Sequence, residues 1–403
     1  MMKQTDDTRT IIETGRNVTM QTYAQFPLVL VKGEGRYVYD TEGNRYLDMV
    51  AGIAVNILGY GDPELSAQLK QVVEDGMLHC SNLYWNPYAV EAAQRLVELS
   101  GMERVFFCNS GTEANEAALK LVRKYGSAKK QGKTDIITMH QSFHGRTYGS
   151  MTATGQPKYQ QAFKPLVPGI SHVPFNDFEA LKEAITESTC AVFIEPVQGE
   201  GGIIPAEDGY LEKVRALCDE HDILLVFDEV QCGMGRTGYA FAWQKSQVMP
   251  DIMTLAKALG GGVPIGALVA TGKAANVLQP GDHAATFGGN HLAAAAACTV
   301  LKRLQDGKLL LQVQEVSKHL RTSLEQLKER FSQIEEVRGS GLMIGVQMSI
   351  PVRETLEQCM SSSLILANAG SQILRFVPPL TITHEEVDEA VAILTSVLER
   401  QLG

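Results

Sequence analysis

Val105-Phe106-Phe107-Cys108-Asn109-Ser110-Gly111-Thr112-Glu113 is the stretch whose reading decides the fold. Four apolar residues lead into a small polar turn containing glycine. A helical pattern follows, with Ala117, Ala118, Leu121 and Val122 on one face. That is a strand, a turn and an amphipathic helix. The same grammar recurs outward along the chain. Apolar runs stand at Ile136-Ile137-Thr138-Met139, Ala191-Val192-Phe193-Ile194 and Ile223-Leu224-Leu225-Val226-Phe227, with helix-like segments between them at 113–125 and 211–221. Continuous apolar strands separated by helices predict a mainly parallel sheet covered on both faces, an α/β fold. Such sheets bind ligands beyond the carboxyl ends of their strands.

The flanks read differently. Near the start, Leu28-Val29-Leu30-Val31, a turn at Lys32-Gly33-Glu34-Gly35, and Tyr37-Val38-Tyr39-Asp40 predict two or three short antiparallel strands. The last hundred residues read helix (308–331), strands (342–348 and 374–377) and helix (384–398), a smaller α+β unit. With 403 residues, two or three domains at about 150 residues each are expected.

Lys and Arg number 36 against 46 Asp and Glu, a formal charge of −10. That sign argues against nucleic acid or an anionic membrane as the main partner. The densest basic cluster, Arg123, Lys124, Lys129, Lys130 and Lys133, reads as a solvated helix end. No apolar leader follows Met1, and uncharged stretches are broken by Asn, His or Lys, so neither a secretory signal nor a membrane span is expected. Seven scattered cysteines form no CxxC, and no HExxH occurs. A cytoplasmic protein without a metal is expected.

Four strand ends carry chemistry. Asn109-Ser110-Gly111-Thr112 opens a helix and offers backbone N–H groups to an anion; plain N-capping by Ser110 or Thr112 explains it equally. Asp228 follows five apolar residues, either exposed at the sheet edge, holding a cation, or resembling a Walker B strand. Lys257 is the one charge in the 21 residues from 252 to 272. It either snorkels to water or serves as a Schiff-base lysine with depressed basicity. Phe143, His144 and Arg146 crowd the loop after Met139. A phosphate cradle, a strand-end acid, an isolated lysine and an aromatic ring together match what pyridoxal phosphate needs.

Competing motifs fail. Gly266 to Gly272-Lys273-Ala274 has one residue too many for a P-loop and Ala where Ser or Thr must hold Mg²⁺, which leaves a Walker-B-type ATPase without its phosphate loop. Gly233-Met234-Gly235-Arg236-Thr237-Gly238 spells a dinucleotide fingerprint but opens no amphipathic helix. No GxSxG elbow is present.

Longer blocks then carry a resemblance. They are Gly52-Ile53-Ala54-Val55-Asn56, the stretch from Phe106 to Glu116, Ser142-Phe143-His144-Gly145-Arg146-Thr147, and Glu195-Pro196-Val197-Gln198-Gly199-Glu200. Further blocks are Asp228-Glu229-Val230-Gln231, Leu255-Ala256-Lys257-Ala258, Thr286-Phe287-Gly288-Gly289-Asn290 and Arg375-Phe376-Val377-Pro378-Pro379. From about Tyr23 onward the chain resembles the class-III, fold-type-I pyridoxal-phosphate aminotransferases.

The resemblance implies a large cofactor-binding domain at 51–305 and a smaller α+β domain built from both termini, 1–50 and 306–403. It implies pyridoxal 5′-phosphate attached to Lys257, with Asp228 facing the pyridine nitrogen and Gln231 near the ring's 3-oxygen. Phe143 and Val230 would sandwich the ring, and Ser110, Gly111 and Thr112 would hold the phosphate. Thr286 would reach it from a second copy, so a homodimer with shared sites is expected. Arg146 would bind the carboxylate of an amino donor, Arg375 the α-carboxylate of 2-oxoglutarate or glutamate, and Glu200 would mask Arg375. Ala285 stands where the family commonly carries a small polar residue, and His291 where proline commonly follows Gly-Gly-Asn. The expected donor is N2-acetylornithine, in arginine biosynthesis. Ornithine, succinylornithine, N-succinyl-diaminopimelate and 4-aminobutyrate remain as alternatives.

Overall fold

The computed structural model describes residues 7–129 and 132–402. Lys130 of the basic cluster and the polar start at 1–6 lie outside the described residues. The centre is a seven-stranded sheet of β1 (Arg104–Cys108), β2 (Asp135–Met139), β3 (Ile170–Val173), β4 (Thr189–Ile194), β5 (Leu224–Asp228), β6 (Ile252–Leu255) and β7 (Gly266–Ala270). Its order is β1-β7-β6-β5-β4-β2-β3. Neighbours are parallel except β7, which runs antiparallel to both β6 and β1.

The apolar runs form strands because both faces of the sheet are covered. Leu224, Leu225, Val226 and Phe227 are each 0% exposed, and burying such a side chain contributes about 1.5–3 kcal/mol. Helix Gly111–Ser127 lays its small-residue face, Ala114, Ala117, Ala118 and Leu121, on one side. Helix Tyr210–Glu220 buries Leu211, Val214 and Leu217. Helix His291–Gln305 buries Ala293 through Ala297 completely or nearly so, and packs closely against helices Pro87–Ser100 and Pro63–Glu74.

Two further four-stranded sheets flank the centre. Strands Leu30–Glu34, Tyr37–Asp40 and Arg45–Asp48 are joined by Leu364–Ile365, which pairs parallel to Arg45–Asp48. Ile334–Ser340, Met343–Met348, Ile373–Phe376 and Ala367–Asn368 make the second, antiparallel throughout. Helices Lys308–Arg330 and His384–Leu402 pack on each other.

Several boundaries differ from the sequence reading. The turn expected at Lys32-Gly33-Glu34-Gly35 comes later, because the strand continues to Glu34, which pairs with Tyr37. The chain reverses at Gly35, whose φ of 61° suits glycine. The strand expected at 223–227 is displaced by one residue. Ile223 N donates to Cys218 O as the preceding helix ends, so Asp228 is the last residue of β5 and not the residue after it. β3 and β7 were not foreseen. In the basic cluster, Lys124 and Lys129 pair with Asp282 and Asp222, and Lys133 donates to His221 O. These contacts suit a solvated helix end.

At the junction before the large sheet, Ala51, Gly52, Ile53 and Ala54 all have positive φ, from 50° to 67°. A left-handed conformation costs about 1–2 kcal/mol per non-glycine residue. Asp48 holds the turn by accepting from Val50 N at 2.8 Å and Ala51 N at 3.0 Å. The next residue, Val55, reaches the wall of the cavity described below.

Candidate active site

A cavity of about 430 Å³ opens at the carboxyl ends of β1, β2, β5 and β6. Antiparallel β7 begins at the same edge, so Val263, Pro264 and Ile265 close one side. Ser110, Gly111, Thr112, Phe143, Arg146, Asp228, Val230, Gln231 and Lys257 all line this one cavity. Residues up to 147 positions apart in sequence (257 − 110) thus meet there.

Helix Gly111–Ser127 starts at the cavity, with Ser110 as its N-cap. Glu113 N donates to Ser110 Oγ and Ala114 N to Ser110 O. The first N–H groups of the helix, those of Gly111 and Thr112, have no intrahelical acceptor and remain for an anion. Glycine is required at 111, since a Cβ there would lie 2.7 Å from Val230 Cγ1. At Gly145 an added Cβ would fall 2.1 Å from Thr112 Oγ1, which keeps the Phe143 loop tight against the cradle.

Asp228 ends β5 with 3% exposure, and both its carboxylate oxygens are held by hydrogen bonds. Oδ1 accepts from Val230 N at 3.0 Å. Oδ2 accepts from Asn115 Nδ2 at 2.8 Å and faces His144 Nδ1 at 2.8 Å. Because it faces a carboxylate oxygen, His144 Nδ1 carries a hydrogen and donates it. Asn115 is oriented in turn, since its Oδ1 accepts from Thr254 Oγ1 at 2.7 Å and its Nδ2 also donates to His144 O.

Lys257 follows β6 in a left-handed conformation, φ 46°, a strained setting of the kind found where a side chain must be aimed. Burial lowers its pKa from the usual 10.5. The Glu200 charge is the largest opposing effect, Arg375 adds to the lowering, and Asp228 and Glu195 oppose it.

Arg375, on strand Ile373–Phe376, is buried and paired with Glu200. Gln231 joins them, donating from Nε2 to Glu200 Oε1 at 3.1 Å and accepting from Arg375 Nη1 at 3.3 Å. Burial alone would raise the Glu200 carboxyl, but Arg375 and Lys257 outweigh it and hold the pKa below its usual value. Ala285 and Thr286 do not line the cavity of their own chain. Ala285 O accepts from Asn82 Nδ2 at 2.7 Å, and Thr286 is exposed.

Three residues were quoted in the sequence blocks without a role. Asn115 and His144 fix Asp228, as above. Glu195 accepts from Phe143 N at 2.9 Å and Gly199 N at 3.1 Å, tying the aromatic loop to the loop bearing Glu200. Burial raises its pKa, with Asp228 adding to the effect and His144 opposing it. Asn115 had a signal: an amide on the Ala114–Ala118 face of a helix is a polar group in an apolar stripe. Cys108 and Cys232 are buried, and burial pushes Cys108 up to about 12 and Cys232 well above its ordinary value. Both are therefore poor nucleophiles.

The donor set fits pyridoxal phosphate. Free helix N–H groups suit its phosphate, a buried and hydrogen-bonded carboxylate suits a protonated pyridine nitrogen, and Lys257 suits its aldehyde. No helix among the described residues is long and apolar enough to cross a membrane.

Comparison with known proteins agrees with this chemistry. The family described as aminotransferase class-III matches residues 18–398. An acetylornithine aminotransferase from Clostridium acetobutylicum is 49% identical over 380 residues, 94% of this chain and 98% of the relative. The ornithine aminotransferase of Toxoplasma gondii, crystallised with partial occupancy of PLP at its active site, superposes with a TM-score of 0.94 at 32% identity, covering 98% of this chain and 94% of that one. N-acetylornithine aminotransferase from Stenotrophomonas maltophilia gives a TM-score of 0.83 at 39% identity, covering 97% and 99%.

Proposed function

Because this chain belongs to the class-III aminotransferases, we propose that it moves the terminal amino group of N2-acetyl-L-ornithine to 2-oxoglutarate. The products are N-acetylglutamate 5-semialdehyde and L-glutamate, a step of arginine biosynthesis. One observation carries the reading: two arginines in different states, Arg146 lining the cavity and Arg375 just behind its wall, against Gln231. Arg375 is masked by Glu200, while Arg146 has no ion pair among the described residues. A donor with one carboxylate and a terminal amine needs one open arginine and no second exposed charge at the reacting end. An acceptor with two carboxylates needs both.

Pyridoxal 5′-phosphate, the family's cofactor, supplies when bound an electron sink for the carbon that loses its proton. Ser110, Gly111 and Thr112 would hold its phosphate, and Phe143 and Val230 the faces of its ring. Gln231 would stand by the 3-oxygen and Asp228 by the pyridine nitrogen. Arg146 grips the donor's carboxylate, since a planar guanidinium binds it in bidentate fashion. Lys257 Nζ, whose basicity burial lowers, takes the proton from the carbon bearing the donor's amine. In the second half-reaction Glu200 swings away, Arg375 takes the α-carboxylate of 2-oxoglutarate, and Lys257 returns a proton. The half-reactions alternate in one cavity, so ping-pong kinetics follow.

The same reading includes the domain division at 1–50, 51–305 and 306–403, a cytoplasmic location, and a homodimer in which Thr286 of the partner subunit completes the phosphate cradle. Leu83, Tyr84 and Trp85 are 88%, 72% and 91% exposed and are linked through Asn82 to Ala285. An apolar surface this open beside Thr286 supports a second copy there.

Single-turnover change in the bound cofactor's visible absorbance tests the substrate. N-acetylornithine, ornithine, succinylornithine, N-succinyl-diaminopimelate and 4-aminobutyrate are offered in parallel. N-acetylornithine should react at the lowest concentration. Preference for another amine overturns the donor, and no change with any amine overturns the reaction class. Sedimentation at micromolar concentration should show a dimer.

A further inference from the structure

Arg146 is an unusual cation. It lines the cavity and is exposed, yet no acid side chain among the described residues pairs with it. What it touches is aromatic. Its guanidinium carbon lies 3.8 Å from the centroid of the Tyr159 ring and 5.6 Å from that of Phe143. Tyr159 also meets Phe143 edge to face, centroids 5.9 Å apart at 82°. The ring therefore bridges the open arginine and the aromatic residue on the cavity wall.

We propose that Tyr159 is a positioning residue for the amino donor: its ring aims the Arg146 guanidinium at the donor carboxylate. The reasoning is electrostatic. A long cation at a cavity rim must be held still to bind in bidentate fashion, and the usual partner, a carboxylate, would occupy the N–H groups the ligand needs. An aromatic face attracts the guanidinium through its quadrupole and leaves the in-plane N–H donors free. Arg375 illustrates the other arrangement, in which an acid holds the arginine and must leave before a ligand can bind.

The support beneath Tyr159 is built for this. It ends the short 3-10 turn Pro157–Tyr159, and Tyr159 N donates to Gln156 O at 3.0 Å. Gln156 Nε2 donates to Ser142 O at 3.0 Å, and Gln160 Nε2 donates to Thr154 O at 2.7 Å. The first amide thus pins the turn of Tyr159 to the loop carrying Phe143 and Arg146, and the second pins it to the end of the helix Tyr148–Ala153 that follows that loop. Lys158 Nζ also lies 4.8 Å from the ring centroid, so the ring serves two cations. Only Arg146 of the two lines the cavity.

The inference rests on the proposed donor, and its test separates the two. Tyr159→Phe keeps the aromatic face, whereas Tyr159→Leu removes it. In single-turnover reactions with N-acetylornithine, Tyr159→Leu should raise the half-saturating concentration about fivefold, which is ~1 kcal/mol. The limiting rate should stay within about twofold. Tyr159→Phe should match the native protein, and so should Tyr159→Leu when the donor is N-acetylputrescine, which lacks the carboxylate. In an Arg146→Ala background, Tyr159→Leu should add nothing. The inference is overturned if Tyr159→Leu leaves half-saturation unchanged, if it weakens both donors equally, or if Tyr159→Phe is equally damaged. Preference of the native protein for another donor overturns the substrate reading alone, and the same comparison on that carboxylate-bearing donor then decides the role of Tyr159.

Discussion

Asn115 Nδ2 donates a 2.8 Å hydrogen bond to Asp228 Oδ2, joining the helix that starts at Gly111 to the acid at the end of β5. The amide cannot turn over, because its oxygen is committed to Thr254. Asn115→Leu keeps the branching of the side chain but leaves the Thr254 hydroxyl without its acceptor, and Asp228 Oδ2 and His144 O each short of a donor, in a buried place. A loss of about 1–3 kcal/mol in unfolding free energy is expected. Denaturant titration checks it, and an unchanged midpoint would refute this account of the network.

Lys257 offers a pH test with a definite sign. Its pKa is lowered by burial, with Glu200 opposing and Arg375 assisting. The rate at which pyridoxal phosphate reloads the apoprotein should rise with pH and reach its midpoint below the ordinary lysine value of 10.5. Glu200→Gln removes a charge that favours the ammonium and should move that midpoint further down. Arg375→Met removes one that disfavours it and should move the midpoint up. Lys257→Ala should abolish both the transition and turnover. Shifts of the opposite sign would show that Glu200 and Arg375 do not act on Lys257 through charge.

Arg375 and Arg146 should divide the substrates between them. Arg375→Ala removes a buried charge partner, an effect of at least about 2 kcal/mol or ~30-fold. It should fall on half-saturation by 2-oxoglutarate and spare that by the amino donor. Measuring each half-reaction separately tests this, and equal damage to both would contradict the division.

Much of this was legible in the sequence because strand ends in a parallel sheet are places where chemistry collects. Ser110, Asp228 and Lys257 each follow or end an apolar run, and the sheet brings them together without further information. The strand Gly266–Ala270 was hidden because its apolar residues continue a stretch that already contains Ile252–Leu255. Periodicity cannot mark where one buried strand stops and the next begins. The roles of His144 and Glu195 were hidden for another reason. They act on Asp228 and on the Phe143 loop through hydrogen bonds across 84 and 52 positions of sequence, and no spacing rule encodes such pairs. Tyr159 gave no signal at all, since its partner is a ring face and not a motif.

The reversed strand β7 also sets a length scale. It lies between β1, which delivers Ser110, and β6, which delivers Lys257. Two strand spacings, about 9–10 Å, therefore separate the ends of those strands. With β1 and β6 as direct neighbours the gap would halve, to a single strand spacing. The sheet thus works as a gauge. It keeps the helix start at Ser110 and the amine of Lys257 at a separation set by the backbone, before any side chain has to choose.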